Sequence, residues 1–410
     1  MHLFERYLQK HSFSEPLISE LPDSDLYLSI VIPCYNEPDV LKSLESLYNC
    51  YDTLYSSEII IVINHAKNAE IDIKALNINT IDKIKEWAVS KNSRKRRFFV
   101  IRAFDIPDRD AGVGLARKTG MDEAIRRFRL CGNKNGVILG FDSDCTCSKN
   151  YLKEIENCFL HKKVNAVSVY FEHPLAGNDF DSQLYKSIEQ YELHLRYYKN
   201  AVKWTGFPFA FHTVGSSFAV RADVYCKQGG MNKRKAGEDF YFLSKVIPLG
   251  KYEEVNTVVV YPSPRQSDRV PFGTGAAIKE MIEKNQDKFY TYPFELFVML
   301  KDLFTKTDEM YSNISFAFPQ NILGEYCRIE SAVINIGEIR NNTASVESFT
   351  KRFYSVFNAF RILKFLNYAV ANGFSMSDSE SESIKLLKET KVDINGKKTI
   401  ELLREIDRKF

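Results

Sequence analysis

A chain of 410 residues is too long for one small core, and with 44% hydrophobic and 27% charged residues it is ordinary for a globular protein, which excludes disordered, collagenous and fibrous classes. The formal net charge is only +3, so the basic excess of a nucleic-acid binder is missing and no nucleic-acid partner is expected. Eight cysteines are scattered with no CxxC pair, which argues against a structural zinc site or a disulfide scaffold and for reduced thiols in a cytoplasm. Met1–Arg6 has no basic segment followed by an apolar core, so no signal peptide is expected. Apolar runs such as Leu28–Pro33 are far shorter than a membrane span. The expectation is a soluble cytoplasmic protein without a transmembrane segment, touching the inner face of a membrane only peripherally.

Leu28–Pro33 is a β-branched run that reads as a strand, and Asp39–Leu47 carries apolar residues at helical spacing. Glu58–Ile63 is nearly all apolar, as in a strand buried on both faces. Ile78–Ser90 reads as a helix. The basic run Arg94–Arg97 reads as a solvated loop before a strand over Phe98–Arg102. Gly112–Leu130 reads as a helix with Ala116, Gly120, Ala124, Ile125 and Phe128 inward. Gly136–Phe141 is a fourth strand, followed by a helix over Tyr151–Leu160 and a strand over Asn165–Tyr170. Repeated strand–helix units predict an α/β fold with a mostly parallel sheet flanked by helices. After about Pro262 helical spacing takes over: Ala276–Asn285, Phe294–Phe304, Asn321–Ile336, Ser345–Ala371 and Ser383–Phe410, with a linker over 372–378. Phe353, Phe357, Phe360 and Phe365 lie at near-helical spacing, as in a helical core.

In parallel α/β sheets ligands bind beyond the carboxyl ends of the strands, so the loops after Pro33, Ile63, Arg102 and Phe141 are expected to line one cleft. Gly140-Phe141-Asp142-Ser143-Asp144 places two carboxylates one residue apart at the end of an apolar strand. Such a pair is costly unless a cation neutralises it, and hard oxygen ligands suit Mg2+ or Mn2+, which also bridge nucleotide phosphates. The plain alternative is a turn or a helix cap. Cys145 and Cys147 beside this motif read as small buried thiols. Glu238-Asp239 opens a helix running through Val246. An acidic pair there either complements the helix dipole or supplies a general base toward an acceptor hydroxyl.

Ser29-Ile30-Val31-Ile32-Pro33-Cys34-Tyr35-Asn36-Glu37 resembles the opening strand and turn, V-x-I-P-x-Y-N-E, of family 2 of the glycosyltransferases. Asp142-Ser143-Asp144 is similar to that family's DxD motif and Gly237-Glu238-Asp239 to its later ED motif, in family order. The resemblance covers roughly Leu26 to Gly275. It implies a GT-A (Rossmann-like) fold and a metal-dependent transferase of the hexosyltransferase kind, working in polysaccharide or glycan biosynthesis from a nucleotide-diphosphate sugar. It implies that Pro33, Tyr35 and Glu37 bind the donor, that Asp142 approaches the ribose or the metal, that Asp144 holds Mn2+ or Mg2+ at the diphosphate, and that Asp239 is the catalytic base with Glu238 beside it. It also implies inversion by direct displacement.

Gly112–Lys118 resembles the family's G-x-x-x-A-R-N segment, which makes Arg117 a donor contact; the alternative is a solvated helix cation. Arg265–Val270 resembles the Q-x-x-R-W segment of processive synthases through Gln266 and Arg269, but Val270 replaces the tryptophan, which argues against a processive polymerase. Arg265 and Arg269 remain as a diphosphate clamp. The family's second strand ends in Val-Asp-Asp-Gly-Ser, whereas this one ends in Ile63-Asn64-His65-Ala66-Lys67-Asn68. Asn64 therefore stands where an acidic residue meets the base, and the preferred base is left open. His65 and His212 read as hydrogen-bonded structural histidines.

The organisation expected is an N-terminal segment (1–25), a nucleotide-sugar and acceptor domain (26–275) and a helical C-terminal region (276–410). That last region is left three roles: ordering a glycan, lipid-linked or small-molecule acceptor, forming a homodimer, or docking on a membrane. The rivals are a retaining GT-A transferase, a sugar nucleotidyltransferase, and a non-catalytic nucleotide-sugar or glycan-binding scaffold. The nucleotidyltransferase is disfavoured because Pro33-Cys34-Tyr35-Asn36-Glu37 is not a glycine-rich first loop, and the scaffold because both acidic motifs are present.

Overall fold

The computed structural model describes residues 3–12, 15–267 and 273–409. They form two compact units: Met1–Gly177 with Thr213–Ala276 and Arg408–Phe410, and Asn178–His212 with Ala277–Asp407. No helix among the described residues is long and apolar enough to cross a membrane.

The first unit is built on an eight-stranded sheet of β1 (Leu26–Cys34), β2 (Ser56–Ala66), β3 (Arg96–Ile106), β4 (Val137–Gly140), β5 (Thr146–Cys147), β6 (Ala166–Phe171), β7 (Phe218–Arg221) and β8 (Tyr252–Tyr261), in the order β3-β2-β1-β4-β7-β6-β8-β5. The pairings β1–β2, β1–β4, β2–β3 and β6–β8 are parallel; β4–β7, β6–β7 and β5–β8 are antiparallel. The sheet is thus mixed and mostly parallel, as the α/β pattern predicts. The apolar cores of β1 and β2, Ile30–Ile32 and Ile59–Ile63, are fully buried because helices cover them.

The helices of this unit include α1 (Leu3–His11), α2 (Val40–Tyr48), α3 (Ile71–Lys91), α4 (Val113–Leu130) and α5 (Tyr151–His161). Of these, α4 packs on β1 and β2, and α3 on β2 and β3. The inward residues expected on α4 are buried, but so is its polar side from Gly114 to Phe128. Residues before β1 cover that side. Tyr7 on α1 donates to Asp122 Oδ1 at 2.6 Å, and Glu123 accepts the backbone N–H groups of Leu17 and Ile18 at 3.2 and 3.3 Å.

The basic run Arg94–Arg97 is only partly the solvated loop expected. Arg96 starts β3 and is buried, where its guanidinium satisfies the carbonyls of Tyr48, Cys50 and Tyr51 at 2.5, 3.1 and 3.2 Å.

The second unit packs helices around a phenylalanine-rich core. Helix Ser182–Trp204 belongs to it because Tyr197, Ala201 and Val202 join the apolar cluster of Phe294, Leu300, Phe349 and Phe365. Phe353, Phe357 and Phe365 are fully buried in that core, whereas Phe360, expected with them, is only half-buried and lies outside it. Three expected helices are interrupted. Asn321–Ile336 becomes Ile322–Ile329 and Ile336–Asn341, because Asn335 caps a new helix by accepting the Glu338 N–H. Ser345–Ala371 breaks where Asn358 caps Ala359–Ala371. Ser383–Phe410 divides into Ser379–Glu389 and Thr399–Arg408. The expected linker is also partly regular, since Ser377–Asp378 pairs antiparallel with Tyr290–Thr291.

Candidate active site

Parallel pairing of β4 with β1 and of β1 with β2 brings the carboxyl ends of these strands to one edge of the sheet. The backbone after β4 leaves the sheet as a tight turn. Phe141 N–H still bonds to Val31 O at 3.1 Å, then Cys145 N–H closes back on Asp142 O at 3.1 Å. Ser43 on α2 also donates to Asp142 O, at 3.2 Å. The turn presents Asp142 and Asp144, whose side chains are 37% and 29% exposed. Ligand atoms of Asp142, Asp144 and Cys145 all lie within 4.8 Å of one another. Two hard carboxylates at that spacing fit a divalent cation. The Cys145 thiol is a poor third ligand as it stands, because burial and then Asp144 and Asp142 push its pKa well up.

Arg117 is not the solvated cation that its place on α4 allows. It is fully buried and donates Nε to Glu238 Oε1 at 3.1 Å, Nη1 to Gly215 O at 2.9 Å and Nη2 to Asp142 Oδ1 at 2.8 Å. Burial opposes its charge, but Asp142, Glu238 and Asp239 outweigh burial and raise its pKa. A Cβ at Gly215 would lie 2.7 Å from Arg117 Nη2 and 3.0 Å from Asp239 Oδ2, so a larger residue there would push on both side chains.

Gly237, at φ 69°, turns the chain into helix Glu238–Val246 in the left-handed region that favours glycine. Glu238 is buried and its carbonyl accepts from Asn232 Nδ2 at 2.8 Å. Asp239 is half-buried, and Phe240 N–H donates to its Oδ1 at 2.7 Å. Burial and then the Glu238 charge push the Asp239 pKa up to about 7, against the pull of Arg117 and the Phe240 N–H.

A second arginine bridges the other acidic groups. Arg265 grips the fully buried Glu37 with both Nη atoms, Nη1 to Oε1 at 2.8 Å, and its Nη2 reaches Asp144 Oδ2 at 3.0 Å. Burial opposes this charge as well, but Glu37 and Asp144 raise its pKa. The expected partner in the clamp, Arg269, lies outside the described residues.

Pro33 is buried on β1 opposite Val62, and Tyr35 follows it half-buried. Asn64 is buried on β2, where its carbonyl accepts from Asn77 Nδ2 at 3.1 Å. Asn77 Oδ1 also takes the N–H of Asn36, whose φ is 50°, at 3.0 Å, so one buried amide ties the ends of β1 and β2 together. Neither Asn77 nor Gly215 was expected to act here. The available signal for Asn77 was an amide between Leu76 and Ile78 in a helix. His65 lies on β2 rather than in a loop, stacked on Phe104 at 4.0 Å and with Nδ1 3.4 Å from Asn77 Nδ2. In the second unit, His212 Nε2 lies 3.2 Å from Asp407 Oδ2.

No protein-family model matches the chain, and no curated protein matches it. Among solved structures it is similar to S. aureus TarS 1-349, with 12% identity over 93% of this chain and 90% of that one, at a TM-score of 0.38. The crystal structure of the same fragment in complex with UDP-GlcNAc gives 13% identity, the same coverage and a TM-score of 0.39. GalNAc-T7 with UDP, GalNAc and Mn2+ gives 14% identity over 86% of this chain and 58% of that one, also at 0.39. At scores this low the likeness carries no weight for function, which rests on the residues of the site.

Proposed function

We propose that this chain is a glycosyltransferase that moves a sugar from a nucleotide-diphosphate sugar to an acceptor hydroxyl with inversion, and that it depends on Mn2+ or Mg2+. The observation that carries the reading is the convergence on one buried guanidinium, Arg117, of two acidic motifs far apart in sequence. Asp142 and Asp144 would hold the cation, which when bound supplies positive charge to the departing diphosphate. Arg265, fixed by Glu37 and lying against Asp144, is a further positive group for that diphosphate.

Asp239 is the general base. With Oδ1 engaged by the Phe240 N–H, its Oδ2 takes the proton of the acceptor hydroxyl. A pKa of about 7 suits a base working near neutral pH, because a group poised there balances ionised fraction against basicity. Glu238 raises that pKa, and Arg117 keeps both motifs in register. Pro33, Tyr35 and Asn64, at the ends of β1 and β2, face the nucleoside in this reading.

The test is calorimetry with a panel of nucleotide-diphosphate sugars, with and without Mn2+, on the native protein and Asp144→Ala. Metal-dependent binding of a donor, lost in the variant, is the expected result. No donor binding at any metal concentration overturns the reading. The anomeric configuration of the product, read by NMR, then decides between inversion and retention.

A further inference from the structure

Behind the acidic turn lies a pair of thiols that the proposed transfer does not use. Cys50 follows α2 and Cys147 lies on β5, three residues after Asp144; their Sγ atoms are 3.7 Å apart and both thiols are free. The backbone fixes this approach, because Tyr51 N–H donates to Lys149 O at 2.7 Å and β5 is paired with β8. Ser46 on α2 holds both partners, its carbonyl 3.5 Å from Cys50 Sγ and its hydroxyl 3.7 Å from Cys147 Sγ. A disulfide needs an S–S distance of about 2.05 Å, so the two sulfurs have still to approach each other by side-chain rotation.

We propose that Cys50 and Cys147 are a thiol modification site that forms an intramolecular disulfide with a small peroxide, tying the turn that carries Asp142 and Asp144 to α2. The surroundings favour attack by Cys50. The buried Arg96 guanidinium stands over its carbonyl, and Arg96 Nε has no hydrogen-bond partner among the described residues. The Cys147 hydrogen bond lowers the Cys50 pKa against burial, and Arg96 lowers it further. The Cys50 thiolate attacks one peroxide oxygen, the O–O bond breaks, and hydroxide leaves, giving a sulfenic acid. The Cys147 sulfur then attacks the Cys50 sulfur, forming the S–S bond and releasing water. Two thiols and one hydrogen peroxide thus give one disulfide and two waters. Ser43, on the same helix, already holds the Asp142 carbonyl, so the crosslink would fasten α2 to the turn at a second point. The inference does not depend on the transferase reading.

The test treats the full chain with increasing hydrogen peroxide, alkylates it under denaturing conditions without reductant, and maps peptides by mass spectrometry. The expected product is a peptide linking Cys50 to Cys147, two hydrogens lighter than the reduced pair and released by dithiothreitol. Amide exchange across 142–148 is expected to slow on oxidation of the native protein and to stay unchanged in Cys147→Ser. Recovery of Cys50 and Cys147 as separate thiols or separate sulfinic acids, at peroxide levels that oxidise Cys131 and Cys158, overturns the proposal. A linked peptide with unchanged exchange overturns its second half.

Discussion

Around Arg117 and Arg265 five carboxylates (Glu37, Asp142, Asp144, Glu238 and Asp239) face two guanidiniums. Around Asp407 in the second unit the balance is reversed: Asp407 and Glu192 face Arg196, Lys199 and Arg404, and Asn200 and His212 add further hydrogen bonds to Asp407. The Asp407 side chain is 2% exposed, whereas Asp142 and Asp144 are 37% and 29% exposed. Burial alone would raise the Asp407 pKa, but the His212 hydrogen bond, Arg196 and Lys199 hold it well below the usual carboxylate range. The same residue types therefore make two different objects. A closed cluster with cations in excess is a clamp between helix Ser182–Trp204 and the last helix. An open cluster with carboxylates in excess has capacity left for a cation and a proton.

The largest expected effect that separates the two is on chemistry. Asp239→Asn should lower kcat by about 10²–10⁴-fold in a turnover assay with the cognate donor, while donor binding by calorimetry stays intact. Asp407→Ala should act on stability instead. Removing one partner of a buried charge group costs about 3–5 kcal/mol, read as a lower denaturant midpoint, because Arg196 and Lys199 lose a buried counter-charge.

The pH dependences have opposite signs. Asp239 works ionised, so kcat/KM should fall as the pH drops through about 7 and level off above it. Its raised pKa means that the stability it contributes is present below about 3.9, the unfolded value, and is lost as the pH rises through about 7. Asp239→Asn should therefore be more stable than the native protein at pH 8 and equal to it at low pH. The lowered pKa of Asp407 works the other way, with stability present above the unfolded value and lost only in strong acid. Denaturation curves of the two variants across pH sharpen the comparison.

The smallest effect concerns the cation. Arg265→Gln keeps a hydrogen-bond donor for the buried Glu37 but removes the positive charge that competes at Asp144, so Mn2+ alone should bind a few-fold tighter by titration, in line with a partly exposed ion pair of at most about 1 kcal/mol. The same variant should bind donor more weakly.

Much of the candidate site was legible in the sequence. Two acidic motifs and the Pro33–Glu37 turn stand out because apolar runs end on them, and a strand end has one direction in which to project a side chain. The hub was not legible: Arg117 sits on a helix whose pattern allows a solvated face, and it is interior because Glu238, Gly215 and Asp142, all distant in sequence, close around its guanidinium. Gly215 gave no signal, because its reason is the closeness of two side chains distant in sequence. Strand β7, antiparallel to both its neighbours, escaped notice because it interrupts the strand–helix rhythm, and the helix breaks at Asn335 and Asn358 because a capping amide is a local choice inside a longer apolar period.

By itself, then, the sequence determined that β1 and β2 would be buried strands, that Asp142 and Asp144 would follow a strand, and that Glu238 and Asp239 would open a helix. These follow from apolar period and backbone preference, which act over a few residues. Only the tertiary structure decided that both acidic motifs share Arg117, that Asp239 titrates near neutrality, and that Cys50 stands beside Cys147. Those depend on burial and on charges brought together from distant segments, and the interaction of charges falls with distance in space, not with separation along the chain.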